Sequence, residues 1–89
     1  MATHPSAEKR HRQSLKRRSR NLAIRSRVRT LVRHVREAID AGNAADATAR
    51  LATAARALDK GVTKGVLHRN TAARKISRLT LAVRKLTSA

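Results

Sequence analysis

The sequence has no cysteine and no phenylalanine, tryptophan or tyrosine. Without cysteine, disulfides and thiolate zinc sites are excluded. Without aromatic rings there is no platform for stacking unpaired bases, which sets aside the RRM and OB types of nucleic-acid module. Acid is scarce too, with five Asp and Glu against 22 Lys and Arg. Five carboxylates, no Gly-rich phosphate loop and no G-x-S-x-G leave no catalytic constellation, so no enzymatic activity and no small-molecule substrate are expected. No run approaches the roughly 20 apolar residues of a membrane span. No apolar stretch of about 7–15 residues serves as a secretory h-region either.

What is present is positive charge. The formal net charge of +17 on 89 residues implies a polyanionic partner for one small domain. Nucleic acid comes first. An anionic membrane surface comes second, but a helix lying on a membrane needs a bulky apolar face. Residues 6–20 offer only Ala7 and Leu15. Arginine outnumbers lysine 16 to 6, which suits bidentate phosphate contacts.

The hydrophobic pattern predicts three helices and an all-α fold. The first begins near Ser6, after Pro5, and runs to about Ala41 without an internal breaker. Gly42 suits a helix C′ position and Asn43 the N-cap of the second helix, Ala44 to Thr63 or Lys64. Gly61 should weaken the end of that helix, and Gly65 is the better stop. The third helix starts between Val66 and Thr71, with Asn70 the preferred N-cap, and ends near Leu86. The apolar stripes are Ile24, Val28, Leu31, Val35 and Ile39, with Val32 beside them, and Ala73 or Ala72, Ile76, Leu79, Val83 and Leu86. Both advance in steps of three and four, the mark of one buried helix face. Leu51, Ala54, Ala55, Leu58 and Val62 supply the second helix, whose "AADATARLATAARAL" reads as close packing. Two short loops make this an antiparallel three-helix bundle with a long projecting N-terminal helix.

Charge is unevenly spread. Residues 1–36 carry twelve Lys and Arg against Glu8 alone, and residues 60–89 carry eight and no acid. Between them, Glu37, Asp40, Asp46 and Asp59 outnumber Arg50 and Arg56. A first helix of about 36 residues is roughly 54 Å long. The second helix folds back along its apolar C-terminal part, so the first 15 or so residues project past the bundle. They project at the end that carries Lys60, Lys64, His68, Arg69, Arg74 and Lys75, and two basic clusters distant in sequence should converge there. The candidate phosphate-binding set is Lys9, Arg10, Arg12, Lys16, Arg17, Arg18 and Arg20 on the arm. At and beyond the corner it continues with Lys64, His68, Arg69, Asn70, Arg74, Lys75 and Arg78.

Each feature has a plainer reading. A basic run is often only a solvated arm, but this one is dense and one-signed. His4, His11, His34 and His68 show no i,i+4 pairing and no carboxylates at ligand spacing, so neither metal nor cofactor is expected. His68 reads as a loop residue near phosphate or as a structural hydrogen-bonder.

At "KGVLHRNTAARKISRLT", preceded by Asp59 and Lys60, the sequence closely resembles the bacterial small-subunit ribosomal protein S-twenty family. Lys64, Gly65, His68, Asn70, Ala72, Ala73 and Arg74 match its K-G-x-x-H-x-N-x-A-A-R pattern. Ser6, Ala7, Lys9 and Arg10 match its basic start, and "RSRVRTLVRHVREAIDAGNAADA" resembles its middle section. The resemblance covers nearly the whole chain. It implies a structural constituent of the 30S subunit that binds 16S ribosomal RNA directly and early in assembly, at the cytoplasmic ribosome. Family members lie low in the subunit body, touching the 5′ domain and the long helix of the 3′ minor domain. No homo-oligomer and no membrane partner are expected. The chain would be one rRNA-binding domain with a basic arm, 1–21, and a bundle, 22–89. An Arg- and Ser-rich, acid-poor start also has the composition of a mitochondrial presequence, but it runs straight into a core-forming pattern. The alternative class is a nucleoid-associated protein that compacts DNA. Duplex DNA offers one regular surface, whereas opposed basic clusters suit a junction of several RNA helices.

Overall fold

The computed structural model describes residues 5–88, which form three helices, α1 (Pro5–Asp40), α2 (Ala44–Thr63) and α3 (Arg69–Ser88). The fold class is all-α, as the periodicity predicts. α2 is the central element, packed along α1 on one side and α3 on the other, while α1 and α3 touch each other much less.

Both connections are tight because both helices end in the same way. At the end of α1, Asn43 N–H donates to Ala38 C=O (3.1 Å) and Gly42 N–H to Ile39 C=O (3.0 Å). At the end of α2, Val66 N–H donates to Gly61 C=O (2.9 Å) and Gly65 N–H to Val62 C=O (2.9 Å). This is the Schellman pattern, which needs a left-handed residue. Gly42 at φ 73° and Gly65 at φ 75° supply it. Asn43 then serves twice, because its side-chain oxygen accepts from Asp46 N–H (3.1 Å) and opens α2.

The core joins all three helices. Val35 and Ala38 of α1, Ala47 and Ala54 of α2, and Leu79 and Val83 of α3 form one buried cluster, with Leu31, Val32, Ile39, Leu51 and Leu86 packed on it. Val28, Leu58 and Ala72 form a second, nearer the α2–α3 corner. The pairings run antiparallel between α1 and α2 and between α2 and α3. Of the two alanines considered on α3, Ala72 is buried and Ala73 is exposed.

Gly61 has a packing role beside its low helix propensity. It is buried, and a Cβ there would stand 2.8 Å from Leu67 Cδ1 and 3.6 Å from Ile24 Cγ2, so its missing side chain admits the connection against the helix. One expectation needs correction: Asn70 is not the N-cap of α3. His68 is: its C=O accepts from Ala72 N–H (3.1 Å) and its Nδ1 accepts from Asn70 N–H (3.1 Å). The connection after Gly65 is short, with Val66 buried, and α3 begins at Arg69, so His68 takes the cap position.

Candidate nucleic-acid interface

Every residue from Ser6 to Arg20 is exposed, yet α1 runs through them without a break. The stretch contains no glycine or proline and is rich in straight-chain residues that favour helix. Lys9, Arg10, Arg12, Lys16, Arg17, Arg18 and Arg20 all lie on it, and among the described residues none of them forms an ion pair. Among the described residues the ion pairs are Arg33 Nε–Glu37 (3.6 Å) and Arg50 Nε–Asp46 (2.9 Å), both away from the arm.

The arm continues the register of the bundle. Ile24, Leu31, Val35 and Ala38 lie on the packed face of α1, and stepping back by three and four from Ile24 gives Arg20, Arg17, Gln13 and Arg10. The face that is apolar where α2 covers it is thus cationic along the arm. Lys9 and Lys16 flank that face, and Arg12 and Arg18 point away from it, one to each side. Arg17 and Arg18 share a shallow depression with Ser14, Asn21, Leu22 and Arg25, built from α1 alone.

At the root of the arm, α1 and α2 enclose an open groove of about 630 Å³. Arg20 and Arg27 line it from α1, and Arg56, Lys60 and Lys64, the residue that caps α2, line it from the other side. Ile24, Val28, Thr53, Ala57 and Gly61 complete the lining. Arg20 and Lys64, 44 positions apart in the sequence, therefore meet at one site. A second groove, of about 480 Å³, places Lys75 of α3 with Arg29, Arg33 and Arg36 of α1. Lys75 thus joins the middle of α1 rather than the arm.

His68, which caps α3, and Arg69, Asn70, Arg74 and Arg78 along its first half are exposed. With Nδ1 occupied by the Asn70 N–H, the His68 ring has Nε2–H as its remaining donor. The Asn70 side chain is relieved of capping. Arg74 and Arg78, four apart, share a face.

The grooves add Arg27, Arg56, Arg29, Arg33 and Arg36 to the cations that sequence reasoning selects, and Lys60 of the expected corner cluster lines the first of them. A signal for the first groove exists in the sequence: Arg56, Lys60 and Lys64 repeat at four-residue spacing, and Arg20 and Arg27 at seven. Among the described residues no three His, Asp or Glu side chains gather at metal-binding distance; His4 lies outside those residues. No described helix is long and apolar enough to cross a membrane.

Residues 2–84 match the family model described as ribosomal protein S20. A relative from Solidesulfovibrio magneticus, named small ribosomal subunit protein bS20, is 53% identical over 89 residues and the whole of both chains. The Jannaschia sp. protein of the same name is 54% identical over 86 residues, 97% of this chain and 98% of its own. The Paracoccus denitrificans one is 52% identical over 89 residues, again the whole of both.

Proposed function

The chain belongs to the ribosomal protein S20 family, and from that premise we propose that it is a structural, non-catalytic protein of the small ribosomal subunit that binds 16S ribosomal RNA directly. One observation carries the binding reading. An exposed helical arm holds seven cations, none of them in an ion pair among the described residues, and has no apolar face to bury. Such a helix is stabilised by phosphates rather than by packing. In this reading the arm, residues 1–21, threads between RNA helices, while the corner of the bundle, residues 22–89, grips a second segment. Lys9, Arg10, Arg12, Lys16, Arg17, Arg18 and Arg20 neutralise phosphates on the arm. Lys64, His68, Arg69, Asn70, Arg74, Lys75 and Arg78 do so at and beyond the corner. The chain acts as a monomer at the cytoplasmic ribosome.

Competition tests this. Labelled protein is bound to 16S fragments, then challenged with unlabelled 16S RNA or with duplex DNA of equal phosphate content. Displacement by RNA at much lower concentration supports the reading. Equal displacement by DNA points to general polyanion binding and removes the ribosomal specificity.

A further inference from the structure

We propose that the groove between α1 and α2 is a phosphate-binding site in its own right, holding one stretch of RNA sugar–phosphate backbone; this rests on the RNA-binding reading above. Five cations surround it, from α1 and from α2 with its cap, and no carboxylate lines it. Neither ion pair of the described residues involves any of the five. The second groove differs, because Arg33 there is engaged by Glu37 at 3.6 Å.

The arrangement is costly unless it is occupied. Like charges facing one another across a cleft repel, and folding brings these five together. The one intramolecular hydrogen bond that engages a guanidinium there is weak, Arg56 Nε donating to Ala52 C=O at 3.4 Å. A phosphodiester backbone supplies the missing charge. Ile24, Val28 and Ala57 between the cations give a partly apolar lining suited to sugar rather than to a small hydrated anion. The absence of aromatic residues removes base stacking, so the site reads backbone and not sequence. Arg20 stands at both the groove and the arm's inner face, so a strand leaving the groove continues past Arg17 toward Arg10.

Two measurements test this on the full chain with a 16S RNA fragment as probe. First, the salt dependence of affinity is compared for the native protein and for Arg27→Gln, Arg56→Gln and Lys60→Gln. Removing one cation that neutralises a phosphate should lower the log–log slope by roughly 0.7–0.9. Arg84→Gln, on the last turns of α3, should leave the slope unchanged. A triple groove variant with the native slope overturns the proposal, as does a slope reduced as far by Arg84→Gln as by a groove substitution. Second, amine-reactive labelling of the native protein needs no variant. Lys60 should be protected by the RNA while Lys85 stays reactive; equal labelling of Lys60 with and without RNA overturns the groove site. Native protein that binds the fragment tightly with Lys60 unprotected refutes this proposal alone, whereas no binding at all refutes the RNA reading beneath it.

Discussion

At the residue scale, two connections of a few residues each set the geometry of everything outside them. Gly65 takes φ 75° with open space around its α-carbon, so a methyl group there meets no neighbour and the whole penalty is conformational. A left-handed alanine costs about 1–2 kcal/mol. Gly65→Ala should therefore lower the melting temperature by several degrees, since about 1 kcal/mol moves a domain of this size by roughly 4–8 °C. Gly65→Asn should cost less, because asparagine tolerates that region. Equal destabilisation by the two would point to something other than backbone conformation. Leu58 makes the complementary case. It is fully buried between α1 and α3, and Leu58→Ala should cost about 2–5 kcal/mol. Leu79→Asp, which puts an unpaired charge beside Val35 and Ala54, should abolish cooperative melting by circular dichroism.

These residues also show where the sequence is readable. Leu58, Leu79 and the Ile24–Val35 stripe are large side chains at helical spacing, and spacing alone identifies them. Ala47, Ala38 and Gly61 are just as buried, but small residues become core only because two helices approach closely. That distance is not written in any one segment. The α3 start is ambiguous in the sequence because histidine and asparagine two positions apart can both accept from a backbone N–H. The choice falls to whichever residue the preceding connection brings to the helix end, and here that is His68. The site divides similarly. The arm's cations form a run that composition reveals, and Lys60 belongs to the corner cluster that the topology brings to the arm, whereas the four- and seven-residue spacings of Arg56 and Arg27 gain meaning once two helices are laid side by side.

At the scale of the element, α1 is two helices in one. Its C-terminal half is held by packing against α2 and α3. Its N-terminal half has no side chain less than exposed from Ser6 to Arg20, and its seven like charges repel at three- and four-residue spacings. Helix stability there rests on continuity with a packed segment. Amides of the arm should accordingly exchange hydrogen fast in the free protein, while those near Val35 are strongly protected. Binding of 16S RNA should extend protection into the arm. Deleting residues 1–20 should leave the helical bundle intact by circular dichroism and weaken RNA binding severely. Full affinity in the truncated protein, or an arm equally protected with and without RNA, would refute the assignment. Register sharpens the expectation: Arg10→Gln and Arg17→Gln, on the face continuous with the bundle core, should weaken binding more than Arg18→Gln, which points away from that face.

The whole molecule is extended and strongly cationic. It measures 68 × 22 × 15 Å with a radius of gyration of 17.9 Å, against roughly 12 Å for a compact domain of its length. It exposes 6901 Å², where roughly 5200 Å² is usual for its mass. A small core therefore carries a large surface, and that surface carries a net charge of +17. Self-repulsion at that density destabilises the compact state. Salt screens it, with a Debye length falling from about 30 Å at 0.01 M to about 8 Å at 0.15 M. The free protein should therefore melt at a higher temperature as salt rises through that range. Binding should respond in the opposite direction. With about 6–10 phosphate contacts, affinity for RNA should fall roughly 10³–10⁵-fold between 50 and 200 mM salt. The two responses have one origin, since phosphates and dissolved ions compete to neutralise the same cations. Melting curves of the free protein and binding isotherms across one salt series check both. A free protein whose melting temperature is indifferent to salt would mean that its cations are already too far apart to repel. An affinity indifferent to salt would mean that the RNA is not held by its phosphates.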